Sequence, residues 1–201
     1  PAEALARLAA RGFDRAVVLP LMVIPGEEFH ALAQVCGRFQ GMAKGLSRIV
    51  LADPLLASSA DAERLAAILA ATPRDDDEAL VLMGHGSPHG ADLCYPALQY
   101  FFSKTNSSIL VGTVEGTPSL DDVLAELRAR KTAKAVLRPL MTVAGDHARN
   151  DMAGPEEDSW VSVLSQAGIA CRPLLQGLGS DPKVVALWVE HLKRAMKSLE
   201  F

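Results

Sequence analysis

An internal repeat is the feature that most limits how this chain can fold. The segment Ala16–Gly26 reads AVVLPLMVIPG, and Ala135–Gly145, 119 residues later, reads AVLRPLMTVAG. A helix-like run precedes each copy, and at this offset 11 of the 24 positions from Glu3 to Gly26 are identical. Self-similarity at a fixed offset indicates a repeated strand-and-helix unit. We therefore expect two related halves in one chain.

Short apolar runs alternate with helical patterns along the chain. Ala79–Met83, Ile109–Gly112 and Ala135–Leu137 are typical of short buried strands, and each is followed by a loop and a helical segment. Such alternation favours an α/β fold with parallel strands and helices on both faces of the sheet. We predict two doubly wound parallel-sheet domains related by the repeat.

The domain boundary is expected in the polar, acidic stretch Thr72–Asp77. This gives an N-terminal α/β domain at residues 1–75 and a C-terminal α/β domain at residues 76–201. The amphipathic helix predicted at Pro182–Leu199 is expected to pack back toward the first domain.

The repeat also predicts that a segment is missing. In the second copy the helix is preceded by two strands, one of them ending in Gly84-His85-Gly86-Ser87, whereas the first copy begins inside its helix, with Pro rather than Met. We expect an N-terminal βα unit to be absent from this chain or held on a separate piece. A deliberate start at this point is the alternative.

Composition excludes several classes of function. The net charge of −4 gives no basic surface for nucleic acid, and no apolar run approaches the ~18 residues that a membrane span needs. The three cysteines are odd in number and widely spaced, which is neither a disulfide framework nor a CxxC metal site. We expect a cytoplasmic protein, with the periplasm as the alternative because the start of the chain would carry any signal peptide.

Four polar residues follow predicted strands or hold an equivalent place in the repeat. Ligands of open α/β sheets bind at the carboxyl ends of the strands, and His85, Glu115 and His147 each follow one of three successive strands. The offset of the repeat places Glu28 opposite His147. Imidazole and carboxylate together suit borderline divalent metals, and three ligands with open positions suit a metal in transit.

Each of these residues also has a simpler interpretation. His85 could be a strand-end histidine satisfied by backbone, or part of a glycine-rich phosphate cradle. Asp146 could orient His147 or could cap a helix beside it. Glu115 could be an ordinary surface carboxylate and Glu28 a carboxylate that favours a helix N-terminus. Further candidates are secondary: Asn150 and Asp151 as support for a ligand, His89 at the rim, His30 on a surface and His191 as structural.

Three motifs give the chain a family resemblance. GHGS at 84–87, GTVEG at 112–116 and PLMTVAGDHARNDMAG at 139–154, followed by DSW, resemble the anaerobic cobalt chelatases, the sirohydrochlorin cobaltochelatases of the CbiK type. The resemblance covers essentially all 201 residues. It implies a class II chelatase that needs no nucleotide and inserts a divalent metal into a tetrapyrrole held between two α/β domains.

The resemblance also implies roles for individual residues. The metal ligands would be His85, Glu115 and His147, and the catalytic groups His85, His147 and Glu28. Some relatives have His at the position of Met22 and a different environment at Gly116. The substrate-binding candidates are Gly84, Gly86, Ser87, Met22, Met141, Thr117 and Ser119, with main-chain N–H groups near Ser87 and in the turn 117–119 as donors to substrate carboxylates.

The implied reaction is ATP-independent insertion of Co2+ into sirohydrochlorin or precorrin-2 in anaerobic cobalamin biosynthesis, with Fe2+ as a further metal and no organic cofactor. The expected partners are the tetrapyrrole and the cation, with another subunit or the missing segment covering the first domain. Two alternatives stay open: a ferrochelatase or nickel chelatase acting on a related tetrapyrrole, and a metal- or haem-binding carrier without turnover.

Overall fold

The computed structural model describes residues 1–106 and 108–199, which form two compact units. The first unit comprises Pro1–Ala57 and the chain from Ala186 onward, and the second comprises Ser58–Val185. The change of unit after Ala57 lies 18 residues before the boundary expected from the sequence. The helix that follows packs on a helix of the second unit, which is why it belongs there.

The first unit is built on one parallel strand pair. Helix α1 (Ala2–Ala10), strand β1 (Arg15–Val18), helix α2 (Glu27–Phe39) and strand β2 (Arg48–Leu51) follow in order. The two strands pair in register from Arg15 with Arg48 to Val18 with Leu51. Apolar side chains from all four elements and the loop before β2 form its core: Leu5, Ala16, Cys36, Leu46 and Ile49.

The second unit contains a four-stranded parallel sheet. The elements are α3 (Ser59–Ala70), β3 (Glu78–Gly84), a 3₁₀ turn (Gly90–Leu93), α4 (Cys94–Thr105), β4 (Ile109–Thr113), α5 (Leu120–Ala129), β5 (Lys134–Pro139), a π-helical turn (Ala148–Met152), α6 (Trp160–Gln166), β6 (Ala170–Pro173), a second 3₁₀ turn (Leu178–Ser180) and α7 (Pro182–Leu199). Helix α7 begins in this unit and belongs to the first unit from Ala186 onward.

The order of the strands places a crevice beside β3. The order is β4-β3-β5-β6, so the chain leaves β3 toward β4 on one side and leaves β5 toward β6 on the other. Adjacent strands whose connections diverge in this way open a crevice outside their carboxyl ends. The crevice of this sheet therefore lies where β3 and β5 end, at Gly84 and Pro139.

Both faces of this sheet are buried at β3, β4 and β5, whereas the edge strand β6 is largely exposed. Alternate β3 residues Ala79, Val81 and Met83 pack in one core with side chains of α5 and α6, including Leu127 and Leu164. The intervening β3 residues point to the opposite face, because side chains alternate along a strand. They are equally inaccessible to solvent. Burial on both faces explains why β3 and β4 are near-continuous apolar runs.

The repeat is present in the main chain of both units. The Met22 carbonyl accepts a hydrogen bond from Leu55 N (3.0 Å), and the equivalent Met141 carbonyl accepts one from Leu178 N (2.8 Å). A second main-chain hydrogen bond is repeated as well. The carbonyl of Val18, at the end of β1, and the equivalent carbonyl of Leu137 in β5 each accept a bond from the first residue after the neighbouring strand. The post-strand loops are thus supported in the same way in both halves.

Within the described residues, no helix is both long and apolar enough to cross a bilayer.

Glu78 links the beginning of β3 to β6 and to the preceding loop at the amino end of the sheet. Its carboxylate accepts hydrogen bonds from Arg172 Nη2 (2.8 Å) on β6 and from Asp75 N (2.9 Å). The bond from Arg172, followed by that from the Asp75 backbone, lowers the pKa of Glu78 below its ordinary value of 4.5. A depressed carboxyl pKa contributes stability that is present above the unfolded-state pKa and is lost as pH falls through the folded-state pKa.

We therefore expect Glu78→Gln to lower the thermal unfolding midpoint at pH 7, with a loss of about 1 kcal/mol in the free energy of unfolding. The difference from the parent should shrink as the pH falls from 4.5 through the lower folded-state pKa, because the parent carboxyl then becomes neutral, like the glutamine amide. Asp76→Asn, in the exposed part of the same acidic loop, is the matched control. An equal difference at pH 7 and at the acid end would contradict this account.

Candidate functional site

The backbone that carries His85 is shaped by a buried tyrosine. Strand β3 ends at Gly84, where any side chain would overlap the ring of Tyr95 on α4. The Gly86 N–H donates to the Tyr95 hydroxyl oxygen (3.4 Å). Burial raises the pKa of Tyr95 to about 12, so the phenol stays neutral. The glycines around His85 therefore let the chain run against a fixed aromatic ring.

The chains after β3 and β4 continue side by side beyond the sheet. Val114 N donates to the Gly84 carbonyl (3.1 Å) and Glu115 N donates to the His85 carbonyl (2.9 Å). Gly86 has φ +87°, and a side chain there would overlap the backbone of Gly116. Two of the predicted ligands are therefore neighbours through a direct main-chain bond.

His147 stands at the beginning of a helical turn in the second copy of the repeat. Its first helical bond runs from Arg149 N to the Gly145 carbonyl (3.1 Å), and the equivalent bond in the first copy runs from His30 N to the Gly26 carbonyl (3.1 Å). Glu28 and His147 are each the second helical residue after that glycine. The equivalence expected from the offset thus extends to their backbone positions.

The imidazoles of His85 and His147 lie against each other. Their ring centroids are 4.6 Å apart, with an edge-to-face angle of 87°. His147 Nδ1 lies 2.5 Å from Asp151 Oδ2, and His85 Nδ1 lies 3.0 Å from the Gly86 carbonyl oxygen. An oxygen acceptor at Nδ1 favours the tautomer with the proton there and the lone pair on Nε2. Both rings are therefore prepared to offer Nε2 as a ligand or a base.

Asp151 lies on the π-helical turn after His147 and contacts the imidazole from four residues away. The turn spans Ala148–Met152, with Ala148 and Met152 buried in the core of the second unit. Asp146, which the sequence suggested as an orienting group, precedes His147, whereas the contact is made by Asp151, four residues after it. π-helical turns occur often at functional sites.

The two carboxylates of the predicted set are placed differently from the imidazoles. Glu115 is exposed and follows β4, and Glu28 is exposed in the first turn of α2 in the first unit. Among the described residues, no group of three or more His, Cys, Asp or Glu side chains is already arranged to hold a metal ion. The structure brings His85 and His147 together, and the three-ligand set remains a prediction.

The main-chain donors predicted for substrate carboxylates are already engaged. Ser87 N and Thr117 N donate to the two carboxylate oxygens of Asp92 (3.1 and 2.8 Å). Ser119 N donates to Asp122 Oδ2 (2.8 Å) in the capping box of α5. As substrate-binding residues, Ser87 and Thr117 therefore have only their hydroxyl groups to offer as donors.

The remaining predicted residues have mixed placements. Met141 is half-buried and packs against the core of the second unit, and Met22 is half-buried in the first. His89 caps the first 3₁₀ turn, with Nδ1 accepting from Ala91 N (3.0 Å). His191 is buried, with Nδ1 3.2 Å from the Asp53 carbonyl oxygen, in agreement with a structural role.

Sequence reasoning missed two residues that shape the site. Tyr95 lies under the His85 loop, and Asp92 joins that loop to the Glu115 loop. No local motif marks either residue, because they act on backbone groups that lie 5, 9 and 25 residues away in the sequence. The one signal available was the lone Gly116, since a glycine in a post-strand loop can mark a close approach by another group.

Comparison with protein families gives one match over nearly the whole chain. The model of a family described as cobalt chelatase (CbiK) matches residues 1–197. The chain is 36% identical over 203 residues to sirohydrochlorin cobaltochelatase CbiKC of Nitratidesulfovibrio vulgaris (strain Hildenborough), covering 98% of this chain and 71% of that protein. It is 35% identical over 198 residues to sirohydrochlorin cobaltochelatase of Salmonella typhimurium, covering 98% and 74%.

Solved structures with a similar fold include two of low sequence identity. SirB from Bacillus subtilis, determined with Fe3+, superimposes with a TM-score of 0.60 at 14% identity, covering 96% of this chain and 76% of that one. DR2241 from Deinococcus radiodurans, a multi-domain protein described as structurally similar to chelatases, gives a TM-score of 0.57 at 17% identity, covering 89% and 41%. At these identities the likeness concerns the fold, which is the chelatase-like two-domain α/β fold expected from the sequence.

The His147–Asp151 contact predicts a measurable effect on metal binding. Removing a carboxylate that supports a ligating imidazole typically weakens metal affinity by about 10–100-fold. We expect a loss of that size for Asp151→Ala, measured by titration with Co2+, whose visible bands report its coordination. Asp146→Ala, which changes the other carboxylate beside His147, should bind as the parent does. Equal affinities in the parent and Asp151→Ala would show that Asp151 does not support the ligand.

Proposed function

Because the chain belongs to the cobalt chelatase (CbiK) family, we propose that it inserts Co2+ into sirohydrochlorin without a nucleotide, a step of anaerobic cobalamin biosynthesis. The enzyme class is a metal chelatase, a lyase, with a divalent cation and a tetrapyrrole as its substrates. The observation that carries the proposal is the imidazole pair at the crevice between β3 and β5, with Nδ1 of each ring engaged by an oxygen acceptor.

This pair suits the chemistry of metal insertion. A tetrapyrrole must lose two pyrrole N–H protons as the cation enters, and a neutral imidazole can accept a proton or bind the cation through the same Nε2 lone pair. Two imidazoles in contact allow one to hold the cation while the other accepts a proton. Asp151 beside His147 stabilises the imidazolium that forms when that ring takes a proton.

The carboxylates complete the site in this proposal. The main-chain N–H of Glu115 donates to the His85 carbonyl. The exposed side chain of Glu115 completes a His-Glu-His set of ligands when a cation is present. Its negative charge offsets part of the charge of the incoming cation. Glu28, at the equivalent helix position of the first unit, is assigned an acidic role on the family resemblance.

The carboxyl edge of the second unit offers surfaces suited to a large, flat, anionic substrate. Leu93, Val143 and Leu175, in the segments after β3, β5 and β6, keep 73%, 69% and 47% of their surface exposed. Apolar side chains held in solvent at this edge are suited to contact with a macrocycle. Since the Ser87 and Thr117 main-chain donors are engaged, we assign the substrate carboxylates to the hydroxyl groups of these residues and to Arg149.

We also propose that Co2+ is the preferred metal, with Fe2+ as a second substrate, and that no organic cofactor takes part. Imidazole and carboxylate ligands bind several divalent ions, so the preference must come from the geometry that the loops impose. Competition between the two ions in the same insertion assay measures this preference directly.

The decisive experiment replaces His147. We expect His147→Ala to reduce the rate of Co2+ insertion by about 10²–10⁴-fold, since it removes a proton acceptor and a ligand together. The rate is followed anaerobically by the absorbance change of sirohydrochlorin on addition of Co2+, and circular dichroism checks that the fold is retained. His30→Ala, which removes an exposed imidazole from α2, serves as the control.

The outcomes separate the proposal from the carrier alternative. Undiminished turnover in His147→Ala would contradict the assignment of His147 as a proton acceptor and ligand. Stoichiometric binding of Co2+ by the parent with no acceleration over the uncatalysed reaction would instead identify a metal carrier.

A further inference from the structure

The loops after β3 and β4 remain hydrogen-bonded to each other beyond the end of the sheet. Residues 84 and 114 are linked by a main-chain hydrogen bond, as are residues 85 and 115. Gly86 then packs against the backbone of Gly116. At the next pair, Ser87 and Thr117, both main-chain N–H groups turn to the same acceptor, the carboxylate of Asp92.

Asp92 divides its two oxygens between the two loops. Oδ1 accepts from Ser87 N at 3.1 Å, and Oδ2 accepts from Thr117 N at 2.8 Å. Its own 3₁₀ turn is capped by another side chain, since His89 Nδ1 accepts from Ala91 N. The Asp92 carboxylate therefore joins two loops and does not cap the 3₁₀ turn on which it lies.

The loop after β4 is shaped around this carboxylate. A side chain at Gly116 would overlap Asp92, and the three nearest atoms to such a side chain all belong to that carboxylate group. The backbone of Gly116 lies outside the left-handed region, so a substitution there is opposed by Asp92 and not by its own φ angle. The position is occupied by glycine because the carboxylate needs the space.

From this geometry we infer that Asp92 is a positioning residue for metal insertion: it clasps the His85 loop to the Glu115 loop and thereby fixes the separation of these two ligands. The inference rests on the function proposed above. The clasp lies two residues beyond His85 on one loop and two beyond Glu115 on the other. A displacement of about 1 Å at a reacting group can cost about 10²-fold in rate.

Two single variants open the clasp by different means. Asp92→Asn keeps the shape, but its amide oxygen accepts from one loop while its NH2 group faces the N–H of the other. Gly116→Ala keeps the carboxylate and displaces it with a methyl group. For both we expect the KM for Co2+ to rise about 10-fold, as for loss of a group that supports a ligand, and the Co2+ visible bands to change.

The double variant Asp92→Ala/Gly116→Ala, compared with the single variants Asp92→Ala and Gly116→Ala, tests whether both changes act through the same contact. Removing Asp92 also removes the overlap with the new methyl group, so the double variant should be no worse than either single one. Independent effects would add instead. Glu78→Gln is the matched control, since it alters a carboxylate that joins two segments at the opposite end of the same strand. It should lower stability without raising the KM for Co2+.

The results distinguish failure of the clasp from failure of the proposed function. A parent that turns over, together with an Asp92→Asn variant of unchanged KM for Co2+ and unchanged bands, overturns the clasp alone, as do additive effects in the double variant. A parent without turnover overturns the proposed function. The clasp is then judged by direct Co2+ titration of parent and Asp92→Asn, and equal affinity or no binding by either protein overturns it.

Discussion

The parallel pairing of β3 with β5 is the constraint on which the candidate site depends. The register aligns Met83 with Pro139, so the two strands end at the same edge. Their connections then diverge to opposite sides of the sheet, which keeps the space above their ends clear of their own following strands. His85 and His147 follow these two strands, and their rings meet there at a centroid distance of 4.6 Å.

Hydrogen-bond acceptors dominate the chemistry at this edge. A glycine-rich loop after a strand can cradle a phosphate when its main-chain N–H groups point at the ligand. In this chain the N–H groups of Ser87, Thr117 and Ser119 donate to aspartates instead. The imidazoles meanwhile direct Nδ1 to oxygen acceptors. The pattern suits a cation and the release of protons, and it argues against the phosphate-cradle interpretation of the GHG motif.

The parts of this structure that could be predicted from sequence are those governed by local or repetitive rules. The capping box of Ser119 and Asp122 needs only a spacing of three residues, and the meeting of His85 and His147 needs only the rule for parallel strand ends. The clasp of Asp92 could not be predicted, because it joins residues 25 positions apart through one side chain. Asp151 is among the residues expected from the sequence to support a ligand, and its spacing of four residues from His147 places it beside the imidazole.

The π-helical turn has a consequence for how the two halves diverged. A π-helical turn holds one residue more than an α-helical one, and the first unit retains a regular α-helix, α2, at the equivalent point. The halves share the preceding strand, the supported loop and the first helical bond. The offset of 119 is nevertheless kept through this point, because Asp151 stands where α2 has Leu32. The carboxylate beside the imidazole therefore differs from the first unit by a change of side chain and not by an added residue. A duplicated scaffold can acquire an imidazole backed by a carboxylate without rebuilding its core.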